Sequence, residues 1–170
     1  MRILATFILS ASLVSTGASA FDSEHLKQLK ETNACSKCDL SDADLSDLDL
    51  AKAKINRTNL SGADLSGANL MFANLVGSRF IGANMTEINL SAANASGANL
   101  KGANLTDAKL IRSRLRGANL AETDLTGANM KGANLSDISQ DKAIFCNTIM
   151  SDGRVERVAA NIGQSPAYVS

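Results

Sequence analysis

The stretch Thr58-Asn59-Leu60-Ser61-Gly62-Ala63-Asp64-Leu65-Ser66-Gly67-Ala68-Asn69-Leu70 places a leucine at every fifth residue. The rule persists in both directions. Nineteen of the twenty fifth positions from Leu40 to Leu135 are large and apolar, Ala95 being the exception. Two residues before each sits a small residue, usually Ala, with only Leu48 and Ile88 oversized. Asp or Asn commonly lies between the two, and Gly often ends the unit. A helix has a period of about 3.6 residues and a strand a period of about 2, so neither explains the pattern. A fixed repeat over such a length predicts a solenoid of similar units. With two inward positions in five, the chain must turn between units, and Asn, Asp, Ser and Gly supply the turn chemistry.

Read as A-[ND]-L-x-x from Cys38 to Asp137 without an insertion or deletion, the unit resembles the pentapeptide repeat family. The resemblance implies an all-β fold, a right-handed quadrilateral parallel β-helix with four pentapeptides per turn. Residues 38–137 then make about five coils, and at one strand spacing per layer the shaft is roughly 24 Å long. The coil from Ser78 to Gly97 departs most from the consensus, with a large Phe80 and Ile88 and a small Ala95. Volume compensation within one layer accounts for this; a ligand cavity beside Ala95 is the sharper alternative.

The chain has 170 residues, with 17 basic and 17 acidic side chains, and its aromatic content is only 4%. Zero net charge disfavours a general nucleic-acid binder, which is normally basic. It equally disfavours an acidic mimic of DNA. So few aromatics disfavour an ordinary globular core.

Residues 1–20 read as a secretory signal: Arg2, an apolar run from Ile3 to Val14, and Ala18-Ser19-Ala20 as the cleavage site. The run is too short to span a bilayer. No Cys follows the cleavage site directly, which speaks against a lipid anchor. An exported chain would reside in the periplasm or outside the cell, or in a thylakoid lumen. No second apolar run follows, so no transmembrane segment is expected in the mature chain.

Residues 21–37 are expected to form an N-terminal helical cap, N-capped by Asp22 or Ser23 and running to about Glu31, with Leu26 and Leu29 on the first coil. At the other end the phase falters at Gln140 and returns at Phe145 and Met150. Residues 138–163 therefore read as a partial coil and cap. Val155, Val158 and Ile162 have the spacing of one helix face, and Gly163 suits its stop. Residues 164–170 read as a mobile tail.

Cys35 and Cys38 form a C-x-x-C pair in a chain expected to be exported. Three readings compete. A structural disulfide pinning the cap fits an oxidising compartment. A redox pair lacks a surrounding βαβ pattern. A zinc site would need His25 or Cys146, and Cys146 lies about five coils away. That distance also forbids an intramolecular bridge to Cys146, leaving a half-buried thiol or a bridge between molecules. His25 is expected on the cap helix as a solvated residue. The N-x-[ST] matches at Asn59, Asn84 and Asn104 arise from the repeat itself.

If residues twenty apart share a side, charge is sorted. One face carries Asp44, Asp47, Asp64, Glu87, Asp107 and Asp124 and no basic residue. The opposite face carries Lys54, Arg57, Arg114 and Arg116 against Asp137. Its neighbour carries Lys52, Lys109, Arg112 and Lys131 against Asp49. The fourth mixes Asp39, Asp42 and Glu122 with Arg79 and Lys101. Such a field steers charged partners and orients self-association. Met71, Phe72 and Val76 form a small outward apolar patch, with Phe72 stacked over Lys52 for a cation–π contact.

No nucleophile–base pair, metal cluster or phosphate-cradling loop stands out, so the expectation is a non-enzymatic scaffold or interaction module without cofactor. Its expected partner is another protein or a second copy. Two alternatives stand beside it. One is a topoisomerase-binding DNA mimic, as some members of the resembled family are, but those look strongly acidic and cytoplasmic whereas this chain is neutral and expected to be exported, so the resemblance does not carry over here. The other is a polyanion or membrane-surface binder using Arg112, Arg114 and Arg116.

Overall fold

A computed structural model describes residues 21–157. The leader at 1–20, the tail at 164–170, and Val158, Ile162 and Gly163 lie outside the described residues.

Helix α1 spans Ser23–Thr32. The Asp22 side chain caps it by accepting the Glu24 backbone N–H at 3.0 Å. Asn33 ends it in the left-handed conformation and donates its N–H to the Leu29 carbonyl. Leu29 is fully buried against the first coil, and Leu26 packs beside it.

After Asn33 the chain winds with a register of twenty residues. Single-residue parallel bridges join Ala34 to Lys54, Asp39 to Asn59, Asp44 to Asp64, and so on to Asn129 with Ile149. The bridged residue is always the one before the fifth-residue inward position, which Ala95 and Gln140 fill exceptionally. Each side of the coil therefore contributes one rung per turn. Leu65 N–H, for instance, donates to Asn84 at 2.7 Å, and Asn84 N–H donates to Ala63 at 3.0 Å.

Sides meet at tight corners. Ala43 N–H donates to the Leu40 carbonyl at 3.2 Å, and Asp42 between them has φ +58. A positive φ at the third residue is the mark of a type II turn, where Gly is the easiest occupant. The corner residues of successive units all have positive φ, whether Gly or not.

The inward ladder from Leu40 to Met130 is buried, with Ala walls allowing close approach. Phe80, Met85, Leu90 and Ala95 share one layer and are all buried, the largest inward residue together with the smallest. Ladder bonds begin at Ala34, so Cys35 takes a large inward position one unit before Cys38. They also run across the irregular unit at Gln140, through Ser139 and Ile144 to Ile149.

The C-terminal end differs from the expected helix. Strand β1 (Thr148–Ile149) pairs antiparallel with strand β2 (Val155–Glu156), with Ile149 opposite Val155. Val155 is thus an exposed strand residue, not the start of a buried helix face. Gly153 at φ +87 and Asp152, whose side chain accepts the Arg154 N–H at 2.9 Å, reverse the chain. The returning strand satisfies backbone groups of the last rung that a helix would leave open. No helix among the described residues is long and apolar enough to cross a membrane.

Candidate interaction surfaces

The repeat spends most of its polar groups on its own architecture. Asp44 Oδ1 accepts both the Ser46 N–H and its hydroxyl, at 3.1 and 2.7 Å. Asp64 does the same with Ser66 and also accepts the Asn84 amide at 3.0 Å. Asp124 accepts the Thr126 N–H at 2.9 Å. Three of the six expected acidic-face residues are therefore turn elements. The Ser46 hydroxyl, followed by its N–H, holds Asp44 below the usual carboxylate value. Ser41 does the same to Asp39. Asn59, Asn84 and Asn104 likewise hold Ser61, Thr86 and Thr106 through Oδ1, so the N-x-[ST] spacing is that of an Asx turn.

Asp47, Glu87 and Asp107 occupy exposed corners with positive φ and, with the exposed Asp44, carry the negative charge of that face outward. Among the basic residues, Lys52, Lys54, Arg57, Lys109, Arg112, Arg114, Arg116 and Lys131 are all exposed. Arg116 pairs with Asp137 at 3.2 Å, both side chains about two-thirds exposed, so the pair adds little stability. On the mixed face Lys101 pairs with Glu122 at 3.5 Å.

The expected apolar patch is only partly assembled. Lys52 N–H donates to Met71, Phe72 N–H to Ser91, Ala92 N–H to Ile111, Arg112 N–H to Lys131, and Gly132 N–H to Ser151. These bonds stack Lys52, Phe72, Ala92, Arg112 and Gly132 into one corner column, and Asp152, in the closing turn after Ser151, ends it. Phe72 protrudes at 58% exposure, whereas Ala92 and Gly132 leave gaps. The result is a groove of about 650 Å³ that includes Met71, Phe72, Ala92, Ile111, Arg112 and Lys131 in its lining. Val76 does not line it: its carbonyl accepts the Arg57 N–H, which puts it at the next corner. Ile111 does line it, and its place forty residues after Met71 was the available signal.

The remaining candidates sit in the N-terminal cap. Cys35 and Cys38 are both buried and placed as a bonded pair with Cα atoms 5.5 Å apart. Cys146 is half-buried. His25 is more than a solvated residue, because its Nδ1 accepts the Asp39 N–H at 3.2 Å and ties α1 to the first coil. No group of three or more His, Cys, Asp and Glu able to hold a metal occurs among the described residues.

The model of pentapeptide repeats matches residues 35–70, 73–110 and 98–137, in 8 copies. The chain belongs to the pentapeptide repeat family. Among solved structures it is similar to a pentapeptide repeat protein (Rfr23) from the cyanobacterium Cyanothece 51142. That match has 28% identity and a TM-score of 0.68, covering 75% of this chain and 97% of the other. A pentapeptide repeat protein from Nostoc PCC 7120 is 30% identical, covering 61% and 80% with a TM-score of 0.41. HetL from the same Nostoc strain, a pentapeptide repeat protein involved in heterocyst differentiation regulation, is 26% identical. It covers 72% and 74% with a TM-score of 0.31. No curated relative matches the chain. Pentapeptide repeat proteins fold as right-handed β-helices, and the twenty-residue parallel register of this member is that of such a helix. They are generally structural or interaction proteins rather than enzymes.

Proposed function

We propose that this pentapeptide repeat protein is an exported, non-enzymatic interaction module that binds another protein through its charged corners. The observation carrying this reading is the division of labour among its polar groups. Rung residues such as Asp64 and Asn84 are half-buried and bonded into the turns. Corner residues are left outward, acidic at Asp47, Glu87 and Asp107 and basic at Lys52 and Arg112. Opposite fields on one rigid rod orient a charged partner during encounter.

Export rests on the tripartite leader at residues 1–20, and it places Cys35 and Cys38 where a disulfide persists. Fractionation of cells expressing the chain with and without residues 1–20 tests the compartment; an unchanged distribution counts against export. Crosslinking in the native compartment, with Asp47, Glu87 and Asp107 reversed to Lys, tests the surface. Loss of captured partners supports the acidic corners, and unchanged capture removes them. The DNA-mimic alternative has less support, because the chain carries as many basic as acidic side chains and basic residues dominate two of its four faces. Inhibition of gyrase supercoiling would revive it.

A further inference from the structure

We propose that the corner column from Lys52 to Asp152 is a two-fold interface between two copies of this chain, packed side by side and antiparallel. The inference builds on the reading of the chain as an interaction module and names the partner for one corner.

Read along the shaft, the column is Lys52, Phe72, Ala92, Arg112, Gly132, Asp152. Inverted about the midpoint between Ala92 and Arg112, it meets itself as three complementary pairs. Lys52 faces Asp152 of the second copy. Phe72 faces the gap at Gly132. Arg112 faces the gap at Ala92. Each pair occurs twice, as a two-fold contact requires. The flanking column inverts acceptably too: Met71 meets Lys131, whose methylene stem covers apolar surface, and Ser91 meets Ile111.

The two shafts share one layer spacing, about 4.8 Å, so all rungs fall into register together. A parallel arrangement would instead set Lys52 on Lys52 and Arg112 on Arg112, which like charges oppose. Asp152 already holds Arg154 through the turn, yet its side chain is 47% exposed and its oxygens retain capacity for a second cation. Corner backbone groups are bonded along the shaft, so the contact is made by side chains and not by edge pairing. One corner buries less than the ~1,200 Å² of stable complexes, so the dimer is a concentration-dependent equilibrium.

The test is sedimentation velocity of the purified chain from micromolar to millimolar concentration, under reductant so that Cys146 cannot bridge copies. Circular dichroism checks that each variant keeps the fold. Phe72→Asp should abolish association, and Asp is at ease with the positive φ of that corner. Lys52→Asp alone and Asp152→Lys alone should each weaken it at least tenfold. The double variant should regain it. A mixture of the two single variants should also associate, because each copy then supplies what the other lacks in the inverted register. A chain monomeric throughout overturns the proposal, as does a dimer indifferent to Phe72→Asp or one that the double variant fails to restore. A monomer that still captures a partner through its acidic corners overturns the dimer and leaves the functional reading standing. A dimer that captures nothing does the reverse.

Discussion

Asp107 Oδ1 occupies the space that a β-carbon on Gly127, one turn further on, would fill. Asp47 stands in the same relation to Gly67, and Asp42 to Gly62. A corner glycine in this shaft can therefore serve two ends. It accepts the positive φ, +73 at Gly127, and it makes room for the carboxylate stacked on it.

Gly127 and Gly117 should respond differently to Ala. Both have positive φ, but nothing lies within 4 Å of a β-carbon at Gly117. Gly117→Ala should cost about 1–2 kcal/mol from backbone strain alone. Gly127→Ala should cost more, and removing Asp107 should recover the excess. A double-mutant cycle by denaturant unfolding measures it; additivity within about 0.5 kcal/mol would contradict the stacking.

Two buried serines make opposite predictions. Ser78 Oγ donates to the Ile55 carbonyl at 2.6 Å and accepts the Thr58 N–H at 3.2 Å. Ser113 Oγ is buried and has no partner among the described residues. Ser78→Ala should cost about 1–3 kcal/mol, since it strands a buried donor, whereas Ser113→Ala should be neutral or stabilising. Thermal melts of the two variants decide; equal losses would refute the distinction.

Acid should act through the rung carboxylates. Hydrogen bonds from Ser46 and Ser41 lower Asp44 and Asp39 from the ordinary value of 3.8. A group depressed in the folded state contributes its full stability above its unfolded value. That contribution fades as the pH falls below 3.8 and through the folded values. Carboxyl NMR titration should find both midpoints below 3.8, and Ser46→Ala should raise that of Asp44 while leaving Asp39 in place. An unmoved Asp44 would mean that the hydroxyl is not the cause.

The cysteine pair should act on stability rather than on activity. With a sequence separation of 3, closing Cys35 to Cys38 stabilises by only about 2 kcal/mol on the chain-entropy view. A Cys35→Ser/Cys38→Ser variant should melt earlier yet keep the ladder signal in circular dichroism. Wild type under strong reductant should shift alike. A melting temperature indifferent to reductant would count against the bridge.

Much of the shaft was legible because its signal is local and repeated. Leu60, Leu65 and Leu70 each restate the same instruction, and the register of twenty follows once four units close a turn. The column holding Phe72, and the one beside it holding Met71 and Ile111, were legible by the same arithmetic, although Val76, close to Phe72 in sequence, turned out to sit on the next corner. Less legible was which acids the turns hold. Asp44 and Asp47 are both exposed and three positions apart, but Asp44 Oδ1 is bonded to Ser46 whereas Asp47 lies over Gly67.

The ends depended most on three dimensions. Val155, Val158 and Ile162 carry a helical spacing, yet Val155 pairs as a strand against Ile149. Nothing in the spacing records that the last rung leaves backbone groups unpaired. His25 was similarly silent until α1 brought it to the Asp39 N–H. The five-residue period by itself determined the solenoid and its core, because burying one large and one small side chain per unit is a constraint each unit satisfies on its own; the corner columns also needed the four units per turn that the family resemblance implies. Only the tertiary structure decided the closing hairpin, the docking of the cap and the groove beneath Phe72. Those features depend on which unpaired groups and which gaps meet across a turn, and side chains twenty residues apart become neighbours only after the coil has closed.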